Sequence, residues 1–109
     1  MKHSYKERRR SLRYPTVIKG FYYLDEKQGK GKECTIINIS LNGAGLQFYT
    51  DETVEVKTKL CLDMYPPGGS EPVNVEGIVK WMKQGNKDCV CGIELMKPLD
   101  EATMEVLRM

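Results

Sequence analysis

Apolar and polar residues alternate with a period of two along most of this chain, which is the pattern of half-buried β-strands. In the clearest run, Ala44, Leu46 and Phe48 share one strand face, which we expect to point into the core. A second run ends at Trp81, which its position in the alternation also assigns to the core. The alternation predicts six short strands, over residues 17–24, 34–40, 44–49, 56–64, 73–81 and 90–95.

The segments between these strands are rich in glycine, proline, asparagine and aspartate, which are typical of turns. Near the end of the chain, Asp100 is placed to cap a short helix that runs towards Leu107. Strands and helices do not alternate, which argues against a parallel nucleotide-binding sheet. The pattern therefore predicts an all-β domain, a small antiparallel barrel or sandwich, followed by a short C-terminal helix.

The charge is distributed unevenly along the 109 residues. Residues 1–13 carry six basic side chains and one acidic one, a net charge of +5, whereas the whole chain carries only +2. We interpret residues 1–14 as a flexible basic arm and residues 15–109 as the folded domain. A basic arm on an acidic body suggests an anionic partner. Most charged chain termini, however, have no binding role and are simply exposed to solvent.

Several functional classes are disfavoured by the sequence. No apolar run approaches the roughly 20 residues that cross a bilayer, and the charged N-terminus is unlike a secretory signal, so we expect a cytoplasmic protein without membrane insertion. The single histidine, His3, lies in the arm, and no nucleotide-binding loop is present, so we expect neither catalysis nor a cofactor. The four cysteines are expected to be reduced core thiols rather than metal ligands.

Two short motifs could carry binding chemistry. Arg9 and Arg13 are four residues apart, and their planar guanidinium groups can donate paired hydrogen bonds to a phosphate or to guanine. Asn38, Ser40 and Gly43 form an Asn-x-Ser-x-x-Gly pattern. With Ile37 and Ile39 facing inward, Asn38 and Ser40 would face outward side by side, and Gly43 would allow positive φ in a turn. Each motif alone is also compatible with a plain terminus or a plain hairpin.

Together and in this order, the two motifs resemble those of the PilZ domain family of cyclic di-GMP receptors. Residues 77–81 (Gly-Ile-Val-Lys-Trp) and 92–95 (Gly-Ile-Glu-Leu) are similar to the strands of that family. The resemblance spans Glu7 to Leu107. It implies a six-stranded antiparallel β-barrel whose arm closes over the ligand.

The resemblance also implies a set of ligand-binding residues: Arg8, Arg9, Arg13, Asn38, Ser40 and Gly43. In the family that the chain resembles, an arginine at the position of Arg8 accompanies two stacked ligand molecules, so the resemblance implies two ligands per site. The predicted function is a receptor whose arm changes conformation on binding cyclic di-GMP and which signals to a downstream protein that the sequence does not identify. The alternatives are a nucleic-acid or polyanion binder, which the acidic body disfavours, and an adapter of the same fold that binds no nucleotide.

Overall fold

The computed structural model describes residues 13–24, 31–49, 54–69 and 71–108. Within these residues the chain forms six strands followed by one helix. Their bounds are β1 Tyr14–Tyr23, β2 Lys32–Ile39, β3 Gly43–Phe48, β4 Lys59–Tyr65, β5 Val73–Gln84, β6 Cys89–Leu95 and α1 Glu101–Arg108.

The six strands form a closed antiparallel barrel in the order β1-β2-β3-β6-β5-β4. The barrel closes because β1 pairs with β2 on one side and with β4 on the other. Closure gives every strand a hydrogen-bonded neighbour on both sides, so none of the six strands is an edge strand of an open sheet. The predicted antiparallel barrel with a C-terminal helix is confirmed.

The inward-facing positions of the strands form one apolar core. Ala44, Leu46 and Phe48 are buried, as the period-two alternation predicts. The rings of Tyr22 and Phe48 pack inside the barrel with their centroids 4.8 Å apart. Burial of such side chains is the main favourable contribution to the stability of the fold.

Helix α1 packs against one end of the barrel through its apolar face, from which Met104 and Leu107 are buried. Asp100 caps the helix as predicted, since its Oδ1 accepts a 2.7 Å hydrogen bond from the Thr103 backbone N–H. Hydrogen bonds from the Thr103 side chain and backbone lower the pKa of the Asp100 carboxyl. At the other end of the helix, the Arg108 guanidinium lies 4.0 Å from the centre of the Tyr14 ring.

Three irregularities interrupt the strand pairing and could not be predicted from alternation. The register shifts between Pro15 and Ile18 in β1, between Ile36 and Asn38 in β2, and between Val79 and Trp81 in β5. A bulge inserts an extra residue on one strand and changes which side chains point outward after it. These shifts decide the geometry of the candidate site described below.

The fourth strand begins later than predicted, at Lys59 rather than at residue 56. Lys57 has a φ of 79°, in a turn where the Thr58 N–H donates to the Glu55 carbonyl. A left-handed conformation is uncommon for lysine, so the residue type gave no signal for this turn.

The part of the chain that the structure describes contains no helix with the length and apolar character needed to cross a bilayer. The four cysteines are all buried, and none of them forms a disulfide. Within the described residues, no group of three or more histidine, cysteine, aspartate or glutamate side chains is arranged to hold a metal ion.

The buried thiols predict that the protein loses stability at alkaline pH. Burial raises the pKa of Cys34 to about 12 and that of Cys91 to about 11. In the unfolded chain the pKa of a cysteine thiol is about 8.5. Above that pH the unfolded state releases protons that the folded state retains, so the free energy of unfolding falls as pH rises. The fall is expected to approach about 1.4 kcal/mol per pH unit for each thiol.

Urea unfolding at intervals between pH 7 and 11 measures this effect. Tyrosine and lysine side chains also titrate in the range, so the slope of the Cys34→Ala variant is the control. We expect a shallower slope for the variant than for the wild type. Identical slopes would show that Cys34 makes no contribution to the alkaline instability.

Candidate functional site

Five residues on five neighbouring strands face one another in a single row across the barrel. Pro15 is paired with Asn38, Asn38 with Gly45, Gly45 with Gly92, and Gly92 with Trp81. The neighbours of Gly45 along β3, which are Ala44 and Leu46, point into the core, so the row lies on the outer surface of the barrel. We call these five residues the outer row.

At one end of the outer row, an arginine and an amide are joined. Arg13 Nη1 donates a 2.7 Å hydrogen bond to Asn38 Oδ1. The Asn38 amide lies over Gly45, where an added Cβ would be 2.6 Å from Asn38 Nδ2. Gly45 therefore lets the amide lie flat against the strand, and the amide in turn orients the guanidinium. The two predicted site residues Arg13 and Asn38 are brought together.

At the other end of the row, the indole of Trp81 lies over Gly92. A Cβ at Gly92 would collide with Trp81 Nε1 and with the ring atoms next to it. Trp81 is 44% exposed, so the prediction that it belongs to the core is wrong. The reason is the bulge between Val79 and Trp81, which shifts the alternation of β5 by one residue and turns the indole to the outer surface.

The width of the outer row follows from the spacing of the strands. Asn38 on β2 and Trp81 on β5 are separated by three inter-strand gaps, which amount to about 14 Å between their backbones. Between them lie only Gly45 and Gly92, which have no side chains of their own. The arrangement is a flat strip with hydrogen-bonding groups at one end and an aromatic ring at the other.

All three register shifts of the barrel lie next to this row. They occur directly after Pro15, directly before Asn38 and directly before Trp81. Bulges are enriched beside binding and catalytic sites, where they redirect side chains. The three shifts lie at the same level of the barrel as Gly45 and Gly92, and they therefore indicate the same surface.

Ser40 and Gly43 lie in the turn next to the row, but not as the alternation predicted. Ser40 is only 2% exposed, and its Oγ lies 3.4 Å from the Gly43 carbonyl oxygen, to which it donates. Strand β2 ends at Ile39, and the chain turns at once, which folds the serine beneath the turn. The prediction that Ser40 faces outward beside Asn38 is therefore wrong.

The predicted inward pair in β2 is also only half right. Ile39 is buried, but the second buried isoleucine is Ile36 rather than Ile37, which is the residue inserted at the bulge. Gly43 does not adopt positive φ. Its role is close approach, since a Cβ there would lie 2.7 Å from the Ile93 carbonyl oxygen on β6.

The turn between β2 and β3 is held firmly by backbone hydrogen bonds. Ser40 N–H donates to the Gly43 carbonyl at 2.9 Å, and the carbonyls of Leu41 and Asn42 accept from Leu99 and Leu95 at 2.8 Å. The last two bonds tie the turn to Leu95 at the end of β6 and to Leu99 in the segment that follows it. The surface next to Asn38 is consequently rigid.

Charged side chains border the outer row. Lys80, at the β5 bulge, lies 3.3 Å from Glu94, so much of its charge is offset by this exposed ion pair. Lys83 is exposed two residues beyond Trp81. Arg13 is accordingly the described cation most directly engaged with the row.

Comparison with known proteins places the whole barrel in one family. Residues 7–109 match the PilZ domain. The chain belongs to the PilZ domain family. No curated protein sequence matches this PilZ domain.

Among solved structures, this PilZ domain is similar to the Bacillus subtilis inhibitor of motility (MotI/DgrA). The TM-score is 0.68 at 14% sequence identity, and the match covers 90% of this chain and 47% of that protein. The chain therefore spans about half the length of MotI/DgrA. At this level of identity the likeness concerns the fold.

The predicted site residues of this PilZ domain fall into three groups. Arg13 and Asn38 are in contact, and Ser40 and Gly43 form the adjoining turn. Arg8 and Arg9 lie outside the described residues. Gly45 and Gly92 were not predicted as site residues, and Trp81 was assigned to the core. The available signal for the two glycines was their position within predicted strands.

The fit of Trp81 over Gly92 gives a testable prediction. In Gly92→Ala the new methyl group must push the indole off the strand, so its exposure to water rises. Because Trp81 is the only tryptophan, we expect its fluorescence emission to shift to longer wavelength, while the far-ultraviolet circular dichroism stays that of a barrel. Gly68→Ala, which has no atom within 4 Å of the added methyl group, is the matched control. An unchanged emission spectrum in Gly92→Ala would contradict the described packing.

Proposed function

We propose that this PilZ domain is a non-catalytic receptor that binds cyclic di-GMP on the outer row and acts in the cytoplasm. The observation that carries the proposal is the convergence of the Arg13 guanidinium, the Asn38 amide and the Trp81 indole around two residues without side chains. A phosphate, a guanine edge and a flat ring face are the three chemical features that these groups complement. The ligand class is that implied by membership of the family.

Arginine is the residue best suited to the phosphates of the ligand. Its planar fork donates two parallel hydrogen bonds to phosphate oxygens or to the O6 and N7 atoms of guanine. Arg13 supplies one such fork from the residue just before β1, and Arg9 and Arg8 supply further forks from the preceding segment. With an arginine at position 8, we infer two stacked ligand molecules in the site.

The Asn38 amide and the Trp81 ring recognise the bases. An amide offers both a donor and an acceptor, which suits the polar edge of guanine. An exposed indole can stack on a base, an interaction that contributes about 1–3 kcal/mol in nucleic-acid complexes. Gly45 and Gly92 lie beneath these two groups and let them approach the strands closely, so that the amide and the indole form the surface on which the ligand binds. Ser40 and Gly43 contribute through the turn that fixes this surface.

Binding is coupled to the arm, residues 1–14, because Arg8, Arg9 and Arg13 all belong to it. When the three guanidinium groups engage one ligand, the arm takes up a new conformation against the barrel. The surface created in this way signals to a downstream protein.

The energies are sufficient for a physiological affinity. A hydrogen bond to a charged group contributes about 1.5–3 kcal/mol. Three or four of these, less the cost of ordering the arm and the ligand, reach the roughly −8 kcal/mol that corresponds to micromolar binding.

Calorimetric titration with cyclic di-GMP tests the proposal directly. We expect saturable binding that weakens at least tenfold in Arg13→Ala and in Asn38→Ala. Each substitution removes one of the two groups, the guanidinium or the amide, that are proposed to contact the ligand together. Lys59→Ala is the matched control, since it removes an exposed cation on β4, away from the row, and should bind like the wild type.

Titrations with GTP and with single-stranded DNA at two salt concentrations separate the proposal from its alternatives. Binding of any polyanion with a steep dependence on salt would instead indicate a general nucleic-acid binder. No heat of binding with any of these ligands would refute the receptor function and leave the adapter.

A further inference from the structure

A groove of about 820 Å³ lies where β4, β5 and the end of β1 meet the segment that leads into α1. Its lining contains Cys61 and Asp63 on one strand, Glu76 on the next, and Met96 and Asp100 on the connecting segment. None of these residues belongs to the outer row. The groove is therefore a second candidate binding surface, separate from the proposed ligand site.

The fold builds this groove at the point where the chain leaves the barrel. Met96 N–H donates a 2.8 Å hydrogen bond to the Glu76 carbonyl, which fixes the connecting segment against β5. The chain then crosses through Pro98 to Leu99, whose burial and bond to the Leu41 carbonyl anchor it again. The two anchors hold the wall of the groove rigidly, so the depression is preformed.

The apolar part of the groove is exposed and has no covering element among the described residues. Met96 is 51% exposed, and Val73 and Val75 are half-buried along the floor. Methionine is common at binding surfaces because its flexible thioether adapts to varied partners. The groove can therefore accept a large apolar side chain.

The charged part of the groove is acidic. Its lining contains three carboxylates (Asp63, Glu76 and Asp100) and one ammonium group (Lys97). Glu101 follows Asp100 in the exposed first turn of α1, and Lys59 pairs with Glu76 at 3.9 Å. With these two neighbours included, the groove has a net charge of −2. A basic occupant complements it.

The closed barrel restricts how such an occupant can bind. A partner that adds a strand needs a free sheet edge, and the strand order β1-β2-β3-β6-β5-β4 closes on itself through the pairing of β1 with β4. Recognition must therefore rely on side chains entering the groove. An apolar side chain flanked by basic ones fits an apolar floor with acidic walls.

We propose that this groove binds a segment of a partner protein in which an apolar side chain lies between basic side chains. The apolar residue packs against Met96 and the floor valines, and the basic residues pair with Glu76, Asp63 and Asp100. The interaction does not require cyclic di-GMP, so it can be tested independently of the proposed ligand site.

A fluorescein-labelled nine-residue peptide that alternates lysine with leucine serves as the probe, with fluorescence anisotropy as the readout on the full chain. Two matched peptides carry glutamate in place of lysine or serine in place of leucine. We expect binding of the lysine–leucine peptide alone, at least fivefold weaker in Met96→Ser and in Glu76→Gln. Val56→Ser, which changes an apolar residue 49% exposed elsewhere, and Glu55→Gln should have no effect.

Several results would overturn the proposal. Equal binding of the serine–lysine peptide would indicate a general attraction to polycations, and affinity unaffected by Met96→Ser would place the peptide elsewhere. We expect that sedimentation does not show a dimer of the wild type that becomes a monomer in Met96→Ser. Such a dimer would mean that the groove binds a second copy of the chain. Titration of Met96→Ser with cyclic di-GMP should match the wild type, so a failure of either site is distinguishable from a failure of the other.

Discussion

The candidate ligand site depends on the close approach that Gly45 and Gly92 permit on two adjacent strands. Hydrogen bonding between β3 and β6 fixes the distance between these glycines, and the closed barrel fixes the distances to β2 and β5 on either side. With no Cβ at either position, the Asn38 amide and the Trp81 indole can lie flat over the strands. A side chain at either glycine would lift one of these groups and destroy the flat strip between them.

The bond between Arg13 and Asn38 connects this strip to the arm. Asn38 Oδ1 is a neutral acceptor, whereas a phosphate oxygen is charged, so a guanidinium–phosphate pair adds the attraction between two ionised groups to the hydrogen bond. If a phosphate takes the place of the amide as the partner of Arg13, as the proposal requires, the amide becomes available for a base. Because Arg13 immediately precedes β1, any such exchange acts on the residues before it.

The sequence predicted the general architecture well, because period-two alternation depends only on which face of a strand is buried. It also predicted the helix cap at Asp100, where the side chain and its backbone partner are close in sequence. The errors at Ser40 and Trp81 share one cause. An inserted residue or an early strand end shifts the alternation, and neither leaves a local composition signal. The contact of Arg13 with Asn38 joins residues 25 apart, and only the motif resemblance suggested it.

The most direct test of the outer row as a ligand site is a titration of the isotope-labelled protein with cyclic di-GMP, followed by nuclear magnetic resonance. We expect saturable shifts in the backbone amides of Asn38, Gly45 and Gly92 and in the indole N–H of Trp81. The backbone amide signals of the residues that line the acidic groove should keep their chemical shifts. Unchanged spectra at excess ligand, or shifts that leave both glycines and the indole unaffected, would contradict the site proposed for this PilZ domain.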